Sequence, residues 1–125
     1  MMKGLIVDDA AIMRLRLRDI LEPRYEIIAE AGDGQEAIEM YDKYKPDFIT
    51  LDISMPKTNG LDALNVLMTR VPNPRIVIVS AVGQQRLVIK ALQSGARDFV
   101  IKPFEPARVM KAIDRMLVDC QVSAK

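Results

Sequence analysis

Short, unbroken apolar runs recur along the chain at Leu5-Ile6-Val7, Ile27-Ile28-Ala29, Phe48-Ile49-Thr50-Leu51, Ile76 to Val79 and Phe99-Val100-Ile101. Each is too short for a helix and rich in β-branched or aromatic residues. Each is also continuous instead of alternating, the pattern of a strand covered on both faces. Between them lie segments of helical length. Residues 10–22 carry Ile12, Met13, Leu15, Leu17, Ile20 and Leu21, with Asp9 as the expected N-cap and Pro23 as the stop. Residues 34–44 set Ala37, Ile38, Tyr41 and Tyr44 along one helical side, and residues 60–70, 83–94 and 105–119 complete the set. Five strands alternating with five helices predict an α/β fold with a parallel sheet and helices on both faces, since parallel neighbours need crossovers. The expected unit is one domain over residues 1–120, with 121–125 as a short tail.

Composition narrows the chemistry. At 125 residues, 50% hydrophobic and 28% charged, the chain has the make-up of one ordinary globular domain. It contains no His, which excludes Ser-His-Asp and Cys-His nucleophile systems, His-ligated zinc and an imidazole proton shuttle. The single cysteine, Cys120, permits no intrachain disulfide. No apolar run reaches membrane-spanning length, and Asp8-Asp9 cuts the first one short of a signal-peptide core, so a cytoplasmic location without membrane insertion is expected. The net charge of +1 argues against general nucleic-acid binding. That total conceals an asymmetry, because residues 1–85 hold 10 basic and 13 acidic side chains and residues 86–125 hold 8 and 4. Arg86, Lys90, Arg108, Lys111 and Arg115 in the basic portion read first as a solvated face and second as a partner surface.

In open parallel sheets, ligands sit beyond the carboxyl ends of the strands. The first predicted strand ends in Asp8-Asp9, the third in Asp52, the fourth in Ser80 and the fifth in Lys102-Pro103. Singly these residues are ordinary: Asp9 is equally a helix cap, Ser80 a turn residue and Lys102 a surface charge. Together they form a candidate site of carboxylates, a hydroxyl and an ammonium. If the first and third strands are neighbours, about 4.8 Å apart, the three aspartates crowd together and call for a cation. Oxygen-only ligands favour a hard ion, Mg²⁺ above all.

The pieces Ile6-Val7-Asp8-Asp9, Asp33-Gly34, Leu51-Asp52 with Met55-Pro56 and Asn59-Gly60, Val79-Ser80-Ala81, and Gly95-Ala96 leading to Ile101-Lys102-Pro103-Phe104 occur here in one order. In this the chain resembles the receiver domain of two-component response regulators, and in size the stand-alone chemotaxis regulators of the CheY type. The resemblance implies a flavodoxin-like, CheY-like three-layer sandwich with strand order 2-1-3-4-5. It implies that Asp52 accepts a phosphoryl group from the phosphohistidine of a sensor histidine kinase. Asp9, Asp52 and the main-chain carbonyl of Ser54 would hold Mg²⁺, with Asp8 acting through water. Lys102 and Ser80 would then bind phosphoryl oxygens, Phe99 would turn inward behind Ser80, and the Lys102-Pro103 bond would be cis.

The chain departs from the chemotaxis type at Phe99, where a Tyr is frequent, and so lacks one hydroxyl. As an expectation, the protein is a monomeric signalling phosphoacceptor and not an enzyme, catalysing only its own phosphorylation and dephosphorylation. Its downstream partner would be a protein such as a flagellar motor switch, in chemotaxis, or else a phosphorelay or kinase-regulating partner. Three alternatives belong to other classes. A Mg²⁺-dependent aspartyl-phosphate phosphohydrolase usually carries an Asp where Ser54 stands. A flavin or nucleotide carrier needs a phosphate loop where Asp8-Asp9-Ala10-Ala11 stands. A phosphorylation-independent adaptor would bind its partner equally well after Asp52→Asn.

Overall fold

The computed structural model describes residues 1–55 and 60–123, with side chains as far as residue 118. Five strands and five helices alternate: β1 Lys3–Val7, α1 Ala11–Leu21, β2 Glu26–Ala31, α2 Gly34–Tyr44, β3 Phe48–Asp52, α3 Gly60–Leu67, β4 Ile76–Ser80, α4 Gln85–Gln93, β5 Asp98–Ile101 and α5 Pro106–Ser123. The strands form one parallel sheet in the order β2-β1-β3-β4-β5. Side chains alternate across it because the strand period is two. Leu5, Val7, Ile49, Leu51, Ile76 and Ile78 face a core shared with Leu64 and Leu67 of α3 and Val88 and Ala91 of α4. Ile6, Phe48, Val77, Val79 and Val100 face the opposite core, shared with Leu17 and Leu21 of α1 and Val109, Ile113 and Met116 of α5. The central strands β3 and β4 are buried at every position, which accounts for their unbroken apolar runs.

Several expected boundaries move for identifiable reasons. Helix α1 is capped by Ala10 without a side-chain bond, not by Asp9. The Asp8 carboxylate instead accepts the Ala10 N–H at 2.9 Å, leaving the exposed Asp9 side chain free of capping. Helix α4 begins at Gln85 because Gly83 stands at φ +91°, outside helical space. Helix α5 continues to Ser123, so residues 121–123, expected in a tail, extend the helix. Residues 124–125, the Cys120 side chain and the Pro56-to-Asn59 part of the motif lie outside the described residues.

Candidate functional site

Strand register assembles the site. Val7 of β1 lies opposite Leu51 of β3, so Asp8 emerges beside Asp52. Ser80 of β4 lies opposite Ile101 of β5, and the Lys102 N–H donates to the Ser80 carbonyl at 2.8 Å. The residues proposed from strand ends therefore meet at one rim. One carboxylate oxygen from each of Asp8, Asp9 and Asp52 lies within 4.8 Å of the others. Asp8 is 0% and Asp52 1% exposed, whereas Asp9 faces solvent.

Lys102 Nζ stands 3.1 Å from Asp8 Oδ2 and 3.1 Å from Asp52 Oδ2, donating a hydrogen bond to the latter. The Lys102-Pro103 bond is cis. Asp52 Oδ1 accepts two hydrogen bonds from one residue, the Ser54 N–H at 2.8 Å and the Ser54 hydroxyl at 2.6 Å. Asp8 Oδ1 is taken by Ala10, but Asp8 Oδ2 accepts no hydrogen bond despite its ion pair with Lys102. The Ser80 hydroxyl is buried and also without a partner. Such orphaned polar atoms are uncommon in folded interiors and carry a desolvation cost.

Two like charges near 4 Å repel by about 4 kcal/mol at the effective dielectric of a protein surface. Among the described residues a single ammonium, Lys102, offsets only part of that for three carboxylates. Burial pushes the Asp8 carboxyl above its ordinary value; the Ala10 N–H pulls it back, the Asp52 charge adds to the rise and Lys102 opposes it. Burial works against the Lys102 ammonium, but its hydrogen bond to Asp52 and the charges of Asp52 and Asp8 outweigh it and raise its pKa. An all-oxygen donor set with a buried carboxylate oxygen lacking a hydrogen bond fits a hard divalent cation such as Mg²⁺.

The surroundings add Arg14, which sequence reasoning had not singled out, and contacts of Gly60, Phe99 and Arg108 that it had not given. Arg14 of α1 donates from Nη1 to the Asp8 carbonyl at 2.6 Å and from Nε to Glu30 at 3.0 Å, pinning the loop that presents Asp8 and Asp9. Gly60, the first residue of α3, packs directly on the reactive strand. A Cβ there would lie 2.7 Å from the Asp52 carbonyl oxygen and 2.5 Å from Ile53 Cα. Phe99 is half-buried and shares a cavity of about 320 Å³ with Ser80, Val88, Ile89 and Leu92. Arg108 reaches over its ring. Two arginines spaced i, i+4 on α1, Arg14 and Arg18, were the one available signal for the Glu30 contact.

With this arrangement in view, comparison with known proteins identifies the class. Residues 5–114 match the response regulator receiver domain, and the chain belongs to that family. Its relatives place it more narrowly. It is 50% identical over 113 residues to the chemotaxis protein CheY of Thermotoga maritima, covering 90% of this chain and 94% of that one. Among solved structures, the CheX–CheY–BeF3–Mg complex from Borrelia burgdorferi superposes with a TM-score of 0.87 at 34% identity, covering 93% of this chain and 89% of that one. The chain is thus a signalling phosphoacceptor of the CheY type.

The expectation of a non-enzyme that catalyses only its own phosphoryl chemistry is corrected. The family assigns the phosphoacceptor role and leaves enzymatic status open. A protein-glutamate methylesterase/protein-glutamine glutaminase of Pyrococcus horikoshii is 46% identical over 129 residues, 98% of this chain and 35% of that enzyme. Among the described residues, no helix is long and apolar enough to cross a membrane.

Proposed function

We propose that residues 1–120 form the receiver unit of a chemotaxis response regulator, with Asp52 accepting a phosphoryl group from the phosphohistidine of a sensor kinase. The observation that carries this reading is the burial of Asp52 at the end of β3, beside two further carboxylates and with Lys102 Nζ 3.1 Å away. A carboxylate oxygen of Asp52 attacks phosphorus, the N–P bond breaks, and the electron pair leaves with the imidazole. Asp9, Asp52 and the Ser54 carbonyl would hold Mg²⁺, with Asp8 behind an intervening water, and the bound ion supplies the positive charge that lets phosphoryl oxygens approach three carboxylates. Lys102, whose ammonium lies between Asp8 and Asp52, turns its donors onto the incoming oxygens.

The same contacts drive the switch. Phosphorylation brings about 1.5 to 2 negative charges, and each charge-assisted hydrogen bond is worth about 1.5–3 kcal/mol. Inverting a 1:99 equilibrium takes about 5.5 kcal/mol, so Ser80 and Lys102 together reach it only near the upper end of that range, and either alone falls short. The unpartnered Ser80 hydroxyl supports this role, since a phosphoryl oxygen would satisfy it. Phe99 then turns inward, altering the surface of α4, β5 and α5. That surface would meet a downstream chemotaxis protein such as a flagellar motor switch, in the cytoplasm, a reading that rests on the CheY relatives.

Incubation with Mg²⁺ and acetyl phosphate tests the assignment. A single hydroxylamine-labile phosphoryl adduct is expected in the wild type and none in Asp52→Asn; an equal adduct in the variant overturns it.

A further inference from the structure

The edge of the sheet carries a clamp centred on Phe99. Strand β5 is an edge strand, so the Phe99 N–H and C=O on its open side have no strand partner. Two side chains take that place. Asp98 Oδ1 accepts the Phe99 N–H at 2.8 Å, and Arg108 Nη2 donates to the Phe99 carbonyl at 2.7 Å. The same Arg108 nitrogen lies 3.2 Å from Asp98 Oδ1, closing the loop. The guanidinium also sits over the aromatic ring, with Cζ 6.0 Å from its centroid. Ser80 and Phe99 line one cavity of about 320 Å³, which gives the ring space to move.

From these contacts we infer that Arg108 is a positioning residue that holds the Phe99 ring in the orientation it has here and so sets the resting bias of the switch. The inference rests on the proposed role of Phe99 and adds what restrains it. The contacts divide into two kinds. The bond to the Phe99 carbonyl and the pair with Asp98 involve backbone and a neighbouring side chain, and neither changes when the ring rotates about its own torsion angles. Only the guanidinium–ring attraction depends on where the ring lies. Only that part can favour one ring orientation over the other. A cation over an aromatic face at a partly exposed position shifts such an equilibrium by about two- to fivefold.

The substitutions separate these parts. Arg108→Gln keeps a donor for the carbonyl and removes the cation. Arg108→Lys keeps a cation for the ring and removes the planar fork that serves Asp98 and the carbonyl together. The probe is beryllofluoride with Mg²⁺, titrated into the full chain while the Phe99 ring resonances are followed by NMR and thermal stability is recorded in parallel. Arg108→Gln should bind beryllofluoride about two- to fivefold more tightly than wild type and show less of the wild-type ring orientation in the free protein, and Arg108→Lys should restore the wild-type values. An unchanged affinity in Arg108→Gln overturns the inference, as does an equal change in both variants that follows the loss of thermal stability. Failure of the underlying reading looks different: wild type would not bind the probe, or Asp52→Asn would bind it equally well.

Discussion

At Glu30, Arg14 and Arg18 each bring a guanidinium to one carboxylate oxygen, at 3.0 and 2.8 Å, and Glu22 takes a second bond from Arg18. Two cations face two anions, all partly exposed. At the rim of the sheet, among the described residues, a single ammonium faces three carboxylates, two of them buried. Arg14 joins the clusters through its bond to the Asp8 carbonyl. Their ionisation runs in opposite directions. Burial acts to raise the Glu30 carboxyl, but hydrogen bonds and charges from Arg18 and Arg14 overcome it and hold the group below its ordinary value, whereas Asp8 is raised. The balanced cluster has spent its bonding capacity on the fold. The unbalanced one keeps an oxygen without a hydrogen bond and a deficit of positive charge, and so has something to offer a ligand.

The contrast is broken most severely by taking away the Lys102 ammonium. Lys102→Met should cost about 3 kcal/mol in urea denaturation with chelator present, because it leaves two buried carboxylates uncompensated. Added Mg²⁺ should recover most of that loss; a cost below about 1 kcal/mol would mean that the lysine is not the main offset. Removing a charge of the opposite sign should do the reverse. Asp8→Asn can keep the bond from Ala10 while relieving repulsion with Asp52, so the metal-free protein should gain about 1 kcal/mol. The Mg²⁺-dependent rise in Tm should shrink in the same variant. A metal-free Asn variant no more stable than wild type would show that the crowding of Asp8 and Asp52 costs the fold nothing.

The balanced cluster responds more weakly. Because the folded-state pKa of Glu30 is lowered, its stabilising contribution is present above the ordinary value of 4.5 and is lost as pH falls through the folded value. Glu30→Gln should therefore cost somewhat under about 1 kcal/mol at pH 7, given partial exposure and solvent screening, and nothing once the wild-type carboxyl is protonated. Urea midpoints of both proteins across acid pH measure this. A cost that persists in acid would point to lost packing instead of lost charge.

How much of this was legible along the chain follows from how local each feature is. The apolar runs at Phe48–Leu51 and Ile76–Val79 announced buried strands because both faces of β3 and β4 are covered. Asp52, Ser80 and Lys102 could be gathered because each follows directly on such a run. The strand order came from family resemblance, since no spacing along the chain tells which strands pair. Asp9 was assigned the helix cap because adjacent aspartates are interchangeable in a linear reading; only the turn after β1 decides that Asp8 makes the bond to Ala10. Arg14–Glu30 and Arg108–Phe99 join separate elements, and Gly60 matters only because α3 abuts the backbone of β3.

The separation of 50 residues between Asp52 and Lys102 has a bearing on biosynthesis. A ribosome releases the acids well before the lysine, and the edge strand that leads to it is the last to be made. Until that strand docks on β4, the nascent rim holds aspartates without their ammonium. Divalent ions in the surrounding solution are then their first available counter-charge, so magnesium should favour early closure of the sheet as well as later signalling.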